Sequence, residues 1–257
     1  MKKLFVIKIG GNVIDNPTLL DKFLSDFTSV PGYKILIHGG GKIATQIGNR
    51  LGIESKYVDG RRITDDETID VVTMVYAGLI NKKIVAQLQA RECNAMGLTG
   101  ADLNAILAHK RTKGTIDYGF AGDIDAVNTE GVAALLDIAQ TLVFAPITHD
   151  KNGQLLNTNA DTIASTLAVS LSSKFKTTLK YVFEKKGVLS DVNDDDSVIA
   201  NINFDDFQIG KSDGTFFEGM IPKLDNAFDA MKNGVQSVVI CGVEGINDDI
   251  GTQLSLD

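Results

Sequence analysis

The sequence predicts an α/β fold: a three-layer αβα sandwich with a mostly parallel, open central sheet. Short apolar runs alternate with helical patterns along the whole 257-residue chain, and this alternation is typical of a sheet covered by helices. The apolar runs lack polar–apolar alternation, which favours strands buried on both faces. Because no low-complexity linker or internal repeat divides the chain, we expect one domain over residues 1–257.

Five apolar runs are the predicted core strands, and longer stretches between them are predicted helices. The strands are Leu4–Ile9, Lys34–Ile37, Thr141–Phe144, Leu179–Phe183 and Ser237–Ile240. The helices include Thr18–Ser29, Ile43–Leu51, Asp66–Ala90, Asn159–Ser172 and Lys223–Asn233. The segment Leu107–Ile124 contains several glycines and predicts a hairpin region. A break in the sequence pattern at residues 172–177 (SSKFKT) suggests the start of a second lobe.

Composition limits the classes of function. Hydrophobic residues make up 44% of the chain and charged residues 23%, as in ordinary globular proteins. The net charge of −8 argues against general nucleic-acid binding and against an anionic membrane surface. Two separated cysteines and three unpaired histidines predict neither disulfides nor a zinc site. With no apolar run long enough for a membrane span and no signal-peptide pattern, we expect a cytoplasmic protein.

The first predicted strand carries one cation, Lys8, directly before the glycine pair Gly10 and Gly11. The simplest explanation for Lys8 is that it lies at an exposed edge of the sheet, where a charge prevents pairing with another strand. A lysine that leads into glycines can instead reach a phosphate as a point charge. Phosphoryl transfer depends mainly on positioning and charge stabilisation, which such a residue supplies.

The second predicted strand ends in His38-Gly39-Gly40-Gly41-Lys42, and a helical pattern follows. Glycines at this place let backbone N–H groups approach an anion, and the helix N-terminus adds partial positive charge. The two glycine turns are expected at the same edge of the sheet, where ligands bind. Neither turn has the spacing of a P-loop or of a dinucleotide fingerprint, and tight turns alone would also use glycine.

Polar residues in the second half add candidates. Asn157, Asn159 and Asp161 precede a predicted helix, where a plain N-cap is the simplest interpretation, although three short polar side chains exceed what one cap needs. Lys223 follows Pro222 at a predicted helix start, where a cation opposes the helix dipole unless an anion is near. The acidic run Asp191–Asp196 lacks the glycine and distal carboxylate of an EF-hand loop, so we interpret it as a solvated turn.

Taken in order, these stretches resemble the amino-acid kinase family, and within it the branch that phosphorylates N-acetyl-L-glutamate. The resemblance spans nearly the whole chain and is carried by KIGGN (8–12), HGGGK (38–42), DGRRIT (59–64), GLTGADLNAI (97–106), DYGFAGDI (117–124), NTNAD (157–161), GMIPK (219–223) and the late Gly251-Thr252. It implies phosphorylation by MgATP of the side-chain carboxylate of an N-acylated glutamate, the second step of arginine biosynthesis. The acceptor carboxylate is already ionised near neutral pH, so no general base is expected.

The resemblance also implies roles for individual residues. Lys8 and Lys223 would stabilise the transferring phosphoryl group, and Asp161 would organise the two lysines. Arg62, rather than the adjacent Arg61, aligns with the arginine that holds the substrate α-carboxylate. Substrate contacts are expected at Gly40, Gly41, Arg62, Asn157 and Asn159, and phosphate or nucleotide contacts at Gly10, Gly11, Glu184, Lys186, Gly187 and Gly214. Mg²⁺ is expected to be held mainly by the ATP phosphates, with no metal site of the protein's own.

The segment Phe183–Leu189 departs from the family pattern, because Glu184 stands where aspartate is usual and Lys185 replaces an apolar residue. We expect this change to affect the affinity for ATP and not the reaction itself. The resemblance implies an N-terminal acyl-glutamate lobe over about 1–172 and a C-terminal nucleotide lobe over about 173–257. It also implies an arginine-insensitive homodimer, since no helix precedes the first strand, with Asp66–Ala90 as contact element.

Two questions stay open at the level of sequence. The acyl group is acetyl or a larger group such as succinyl, whose free carboxylate would need a basic partner such as Arg61 or Lys42. The alternative hypothesis, from another class of function, is a non-catalytic metabolite-binding protein of the same fold. The altered Phe183–Leu189 segment supports it. Retention of Lys8, Asp161 and Lys223 together argues against it, because a binder has no need of both transfer lysines.

Overall fold

The computed structural model of the protein describes residues 1–58, 60–112, 114–191, 193–216, 220–248 and 250–257. Asp59, Val192 and Gly219, which belong to sequence stretches named above, lie outside the described residues. The strands are β1 (Lys3–Ile9), β2 (Tyr33–Ile37), β3 (Tyr57–Val58), β4 (Arg61–Arg62), β5 (Ala95–Leu98), β6 (Ile106–Lys110), β7 (Ala121–Val127), β8 (Thr141–Phe144), β9 (Ile147–His149), β10 (Leu155–Thr158), β11 (Lys176–Phe183), β12 (Asn201–Asn203), β13 (Ser237–Gly242) and β14 (Thr252–Ser255). The helices are α1 (Gly11–Asp15), α2 (Pro17–Ser29), α3 (Gly41–Arg50), α4 (Asp66–Val72), α5 (Asn81–Gln89), α6 (Thr129–Ala139), α7 (Ala160–Ser172), α8 (Phe204–Asp213) and α9 (Ile221–Lys232).

The predicted α/β class is confirmed: the protein has a mostly parallel central sheet with helices on both sides. The five predicted core strands coincide with β1, β2, β8, β11 and β13 to within a few residues. Their burial gives the reason, because consecutive residues such as Val6 and Ile7 point to opposite faces and both have no exposed surface. A strand covered on both faces needs an unbroken apolar run, which is the signal the sequence carries.

One compact unit comprises Met1–Ile35 together with Ala164–Asp257. Its strands are ordered β12–β14–β13–β11–β1. β1, β11 and β13 are parallel neighbours, whereas β14 runs antiparallel to β13 and parallel to β12. Phe207 and Phe228, on α8 and α9, stack in the core of this unit with ring centroids 5.1 Å apart.

The second compact unit is Leu36–Ile163. In it β5 and β8 are parallel, and four further strands close into a small barrel in the order β10–β7–β6–β9. β6 and β7 are antiparallel partners with a register shift between Leu107 and Ala108. The predicted hairpin over Leu107–Ile124 is therefore confirmed, but the barrel that contains it was not foreseen.

The boundary of the two units differs from the expected lobe boundary near residue 172. The division falls inside α7, between Ile163 and Ala164, and the first 35 residues group with the C-terminal part of the chain. The cause is β1, which pairs along its whole length with β11. The local sequence at residues 172–177 changes from an apolar helical pattern to the polar stretch SSKFKT. It contains no signal for pairing between strands that are far apart in the chain.

The predicted helix Asp66–Ala90 is helical throughout but not uniform. A π-helical segment, Thr73–Ile80, lies between α4 and α5. Segments of this kind are rare and often lie near functional sites. Two of its buried side chains, Tyr76 and Ile80, pack beside the glycine turn that follows β2. No helix in the described part of the chain is both long enough and apolar enough to cross a membrane.

Candidate active site

The turn Gly39–Gly41 joins β2 to α3, as the sequence predicted. Gly40 has φ +146°, and a Cβ atom there would lie 2.2 Å from Cδ1 of Ile80 and 3.3 Å from the Tyr76 ring. Only glycine fits this combination of conformation and space without strain. Because the first residue of α3 is Gly41, the turn presents backbone N–H groups at a helix start, where an anion is favoured.

His38, at the start of this turn, is a fully buried neutral side chain. Its Nδ1 lies 2.8 Å from the carbonyl oxygen of Gly39, and its Nε2 lies 3.3 Å from the amide nitrogen of Asn81. Nδ1 must therefore carry the proton, while Nε2 accepts. Burial lowers the pKa of His38 to about 4. Asn81 also donates to the carbonyl oxygen of Val143 at 2.9 Å, which ties the turn to β8.

Arg62 is buried at 8% exposure and is fixed by the second glycine turn. Its Nη2 donates to the carbonyl oxygen of Gly41 at 2.8 Å and to Oγ1 of Thr45 at 2.9 Å, and Nη1 donates to the Ser55 hydroxyl. The guanidinium also lies 4.8 Å from the ring centre of Tyr57. These contacts place a permanent positive charge at a defined position, and they distinguish Arg62 from the exposed Arg61.

Three of the sequence motifs converge on Thr64. The backbone of Thr64 bonds to Tyr118 and Phe120, at 3.0 and 2.6 Å, and its hydroxyl accepts from the side chain of Asn157 at 3.0 Å. Gly119 sits against this segment with φ +66°, and a Cβ there would lie 2.1 Å from the Thr64 carbonyl oxygen. The motifs DGRRIT, DYGFAGDI and NTNAD are thus parts of one packed substructure.

Asn159 caps α7. Its side-chain oxygen accepts from the backbone N–H groups of Asp161 at 2.8 Å and Thr162 at 3.0 Å. The plain N-cap interpretation is therefore confirmed for this oxygen. Asp161 lies in the first turn of the helix, a position where a carboxylate interacts favourably with the helix dipole.

A cavity of about 230 Å³ brings the predicted substrate residues together. It is lined by Gly39, Gly40, Gly41, Tyr57, Gly60, Arg61, Arg62, Tyr76, Arg111, Ala121, Gly122, Asp123, Pro146, Asn157, Thr158, Asn159, Ala160 and Thr162. All five predicted substrate-contact residues are on this wall. Of the two basic residues considered for a larger acyl group, Arg61 lines the cavity, whereas Lys42 is not among the described lining residues.

The sequence analysis missed several residues of this cavity. Arg111 and Asp123 form an ion pair, with Nη2 to Oδ1 at 2.5 Å and Nε to the same oxygen at 3.0 Å. Tyr57 donates or accepts a 2.8 Å hydrogen bond with Thr45, and burial raises the pKa of Tyr76. The pairing of Arg111 with Asp123 was accessible in principle, since both residues lie on the predicted hairpin.

The first glycine turn follows β1, where Lys8 lies opposite Tyr181 of β11. The backbone N–H of Gly10 donates to the carbonyl oxygen of Val182 at 2.8 Å. Gly11 begins α1, and a Cβ atom there would meet nothing within 4 Å. Packing within the described structure thus does not account for glycine at this position.

Glu184, the departure from the family pattern, contacts this first turn. Its Oε1 accepts from the side-chain amide of Asn12 at 2.8 Å. The two lysines that follow point to the acidic turn: Lys185 pairs with Asp195 at 2.6 Å and Lys186 with Asp196 at 2.5 Å. The Lys186 ammonium is thus committed to a carboxylate, which raises its pKa.

The remaining predicted nucleotide residues have visible structural reasons. A Cβ on Gly187 would lie 2.8 Å from Val198 and 2.9 Å from Oγ1 of Thr252, and that hydroxyl accepts from the Val188 N–H at 2.8 Å. Gly214 is the left-handed C-cap of α8 with φ +84°. Lys223 occupies the third position of α9, after Pro222.

Comparison with known proteins places the chain in a family. It matches the model of the amino acid kinase family over residues 3–242. It is 56% identical over 261 residues to the acetylglutamate kinase of Cytophaga hutchinsonii, covering 99% of both chains. The identity to the acetylglutamate kinase of Phocaeicola vulgatus is 53% over 251 residues, covering 98% of both chains. The crystal structure of smu.665 from Streptococcus mutans superposes with a TM-score of 0.79 at 25% identity, covering 99% of both chains.

Proposed function

Because the chain belongs to the amino acid kinase family, we propose that it transfers the γ-phosphoryl group of ATP to the side-chain carboxylate of N-acetyl-L-glutamate. The product is an acyl phosphate, and the reaction is the second step of arginine biosynthesis. The observation that carries the proposal is the cavity that Arg62 shares with Gly40, Gly41 and Asn157. Full-length relatives at 56% and 53% identity that bear the name acetylglutamate kinase support the same reaction.

On the substrate side, Arg62 is the proposed partner of the α-carboxylate. Its guanidinium is held by Gly41 and Thr45, so little side-chain entropy remains to be lost on binding. Asn157, oriented by Thr64, is the proposed hydrogen-bonding partner of the acylated substrate. The glycines of the turn contribute backbone N–H groups and leave room for the ligand.

On the phosphoryl side, Lys8 and Lys223 are the proposed groups that stabilise negative charge on the transferring phosphate. Gly10 and Gly11 are proposed to supply backbone donors, and the open space beside Gly11 supports a ligand there. Asp161 keeps its proposed role as an organising carboxylate. Mg²⁺ is proposed to enter with ATP, held mainly by the phosphates, which would bind near Glu184, Lys186, Gly187 and Gly214. Lys186 uses one of its three N–H donors on Asp196, and the other donors would contact the phosphate.

A coupled assay of ADP release tests the reaction. Purified protein with MgATP is given N-acetyl-L-glutamate, N-succinyl-L-glutamate, L-glutamate or L-aspartate, and each is compared with a reaction lacking acceptor. We expect turnover with N-acetyl-L-glutamate and background rates with both free amino acids. The succinyl compound is included because Arg61 lines the cavity and would meet its extra carboxylate. Background rates with all four compounds would instead favour a metabolite-binding protein.

We also propose that the protein is a homodimer that acts in the cytoplasm, with the segment Asp66–Ala90 at the interface. Met74 is 55% exposed and Leu79 is 36% exposed on this segment, and apolar side chains on an exposed helix suit a partner surface. Sedimentation equilibrium should give twice the chain mass for the wild type, and Met74→Glu should shift the equilibrium towards monomer. A monomeric wild type at micromolar concentration would contradict the proposal.

A further inference from the structure

A second cavity, of about 490 Å³, opens where the parallel strands of the first compact unit begin. Its floor is one face of β1, β11 and β13, and its walls are the segments after α2 and after β13. The lining residues are Lys3, Phe5, Val30, Pro31, Lys176, Thr178, Lys180, Gln236, Ser237, Val239, Ile246 and Asn247. Volumes of this size are typical of sites for small molecules.

The strand register brings cations together on the floor of the cavity. Lys3 lies directly opposite Lys176, and Lys180 follows on the same face because alternate residues of a strand share a face. Between them, Thr178 lies opposite Phe5 on one side and Ser237 on the other. One face of the sheet thus carries three ammonium groups separated by hydroxyl and aromatic side chains.

The described side chains that line the cavity do not neutralise these lysines. The described residues lining the cavity include neither aspartate nor glutamate, although the whole chain has a net charge of −8. Lys3 and Lys176 are exposed, and neither forms an ion pair with a described residue. Like charges directly opposite each other in a sheet are destabilising. An anion between them would convert this repulsion into attraction.

Lys180 is the innermost cation, with 4% of its surface exposed. Its ammonium donates to three backbone carbonyl oxygens, those of Gly245 at 3.4 Å, Ile246 at 3.0 Å and Asp248 at 3.3 Å. These bonds fix the ammonium in place, but carbonyl dipoles do not cancel its charge. Because all three donors of the ammonium are in use, Lys180 would attract an anion in the cavity through its charge and not through a hydrogen bond.

We propose that this cavity binds a small organic polyanion, a molecule with at least two phosphate or carboxylate groups. One negative group would lie between Lys3 and Lys176, and another would face Lys180 within the cavity. Neutral donors for such groups are present in the side chains of Thr178, Ser237 and Gln236. Phe5 and Val239 line the same cavity and provide apolar surface for the carbon skeleton of such a molecule.

The proposed site is separate from the candidate active site and does not depend on the proposed kinase reaction. β1 carries Lys3 at its start and leads to Gly10 at its end, and β11 carries Lys176 at its start and leads to Glu184. Six residue steps along β1 correspond to about 20 Å. The same two strands therefore have the polyanion site at one end and the first glycine turn at the other.

Equilibrium dialysis with labelled pyrophosphate tests the site, in the presence of a saturating non-hydrolysable Mg–ATP analogue that occupies any nucleotide site. The wild type should retain one pyrophosphate per chain, and Lys3→Gln/Lys176→Gln should weaken this binding by about tenfold or more, since two direct charge contacts are lost. The control Lys22→Gln/Lys151→Gln, with the same change of charge at exposed positions, should bind like the wild type. The comparison between the two double variants is valid even if the ATP analogue does not bind.

Thermal unfolding gives a second, independent reading. Without pyrophosphate, Lys176→Gln should leave the Tm unchanged or raise it, because a like-charge contact is removed. With pyrophosphate, the Tm of the wild type should rise and that of Lys3→Gln/Lys176→Gln should stay constant. The proposal is overturned if the wild type binds no pyrophosphate saturably, or if the double variant binds and responds as the wild type does.

Discussion

The turn after β2 and the turn after β1 both set glycines between a strand and a helix, but different contacts hold them. In the turn after β2, Gly40 packs against Ile80 and Tyr76, and Arg62 bonds to Gly41. In the turn after β1, the space beside Gly11 is open, and the side-chain contact is the exposed pair Asn12 and Glu184. Packing and backbone conformation therefore explain Gly40, whereas no packing contact in the described structure accounts for Gly11, where we propose that access for a ligand is the reason.

The largest expected effect is on catalysis at the turn after β1. Lys8→Ala removes a cation from the proposed transfer site, and loss of a comparable transition-state donor costs about 3 kcal/mol, or roughly a hundredfold in kcat. Steady-state ADP release measures this loss. Lys22→Ala, which removes an exposed lysine paired with Asp26, is the matched control and should leave kcat unchanged.

The buried His38, at the start of the turn after β2, should make the free energy of unfolding depend on pH. Because the folded protein keeps His38 neutral down to a pKa of about 4, the unfolded chain binds the proton first as pH falls below about 6.5. Stability is therefore full above that pH and declines towards pH 4, by about 3 kcal/mol in total. Urea unfolding at several pH values should show a flatter decline for His38→Gln than for the wild type. Equal slopes for His38→Gln and the wild type would contradict a buried, neutral His38.

Paired glycine substitutions separate the two turns directly. Gly40→Ala forces a side chain into a left-handed conformation against Ile80 and should lower the free energy of unfolding by about 1–3 kcal/mol. Gly11→Ala should change it by less than about 0.5 kcal/mol, yet still reduce kcat, because the new methyl group occupies the open space. The comparison fails if Gly11→Ala is strongly destabilising or if it retains wild-type turnover.

The smallest expected effect concerns Glu184. Glu184→Ala removes the exposed hydrogen bond to Asn12, so stability should change by less than about 1 kcal/mol. The KM for ATP should rise by about threefold or less, which corresponds to a fraction of a kcal/mol. Glu184→Gln, which keeps an acceptor for Asn12, serves as the partner variant. A hundredfold loss of activity in Glu184→Ala would show that this contact belongs to the catalytic machinery.

Sequence reasoning worked where one local signal decides the outcome. The apolar run of β1 predicts a doubly covered strand, and Val6 and Ile7 are both fully buried. Sequence reasoning was less informative where contacts between distant parts of the chain determine the structure. The grouping of Met1–Ile35 with Ala164–Asp257 depends on strand pairing across more than half the sequence, and the π-helical turn at Thr73–Ile80 has no periodicity that marks it.

For the site, sequence could name residues but not their partners. Arg62 was chosen over Arg61 by resemblance, and the structure adds a physical difference between them, burial against Gly41 and Thr45. The pairing of Lys186 with Asp196 and of Arg111 with Asp123 depends on loop and hairpin geometry. The helix cap formed by Gly214 is a local role that composition alone does not separate from phosphate binding.

Detection of the acyl phosphate itself tests the proposed reaction most directly. The protein is incubated with MgATP and N-acetyl-L-glutamate in the presence of hydroxylamine, which converts an acyl phosphate to a stable hydroxamate, and hydroxamate is compared with ADP. We predict equal amounts of both products, and both should form roughly a hundredfold more slowly with Lys8→Ala. ADP without hydroxamate, or no ADP at all, would contradict phosphoryl transfer to the carboxylate.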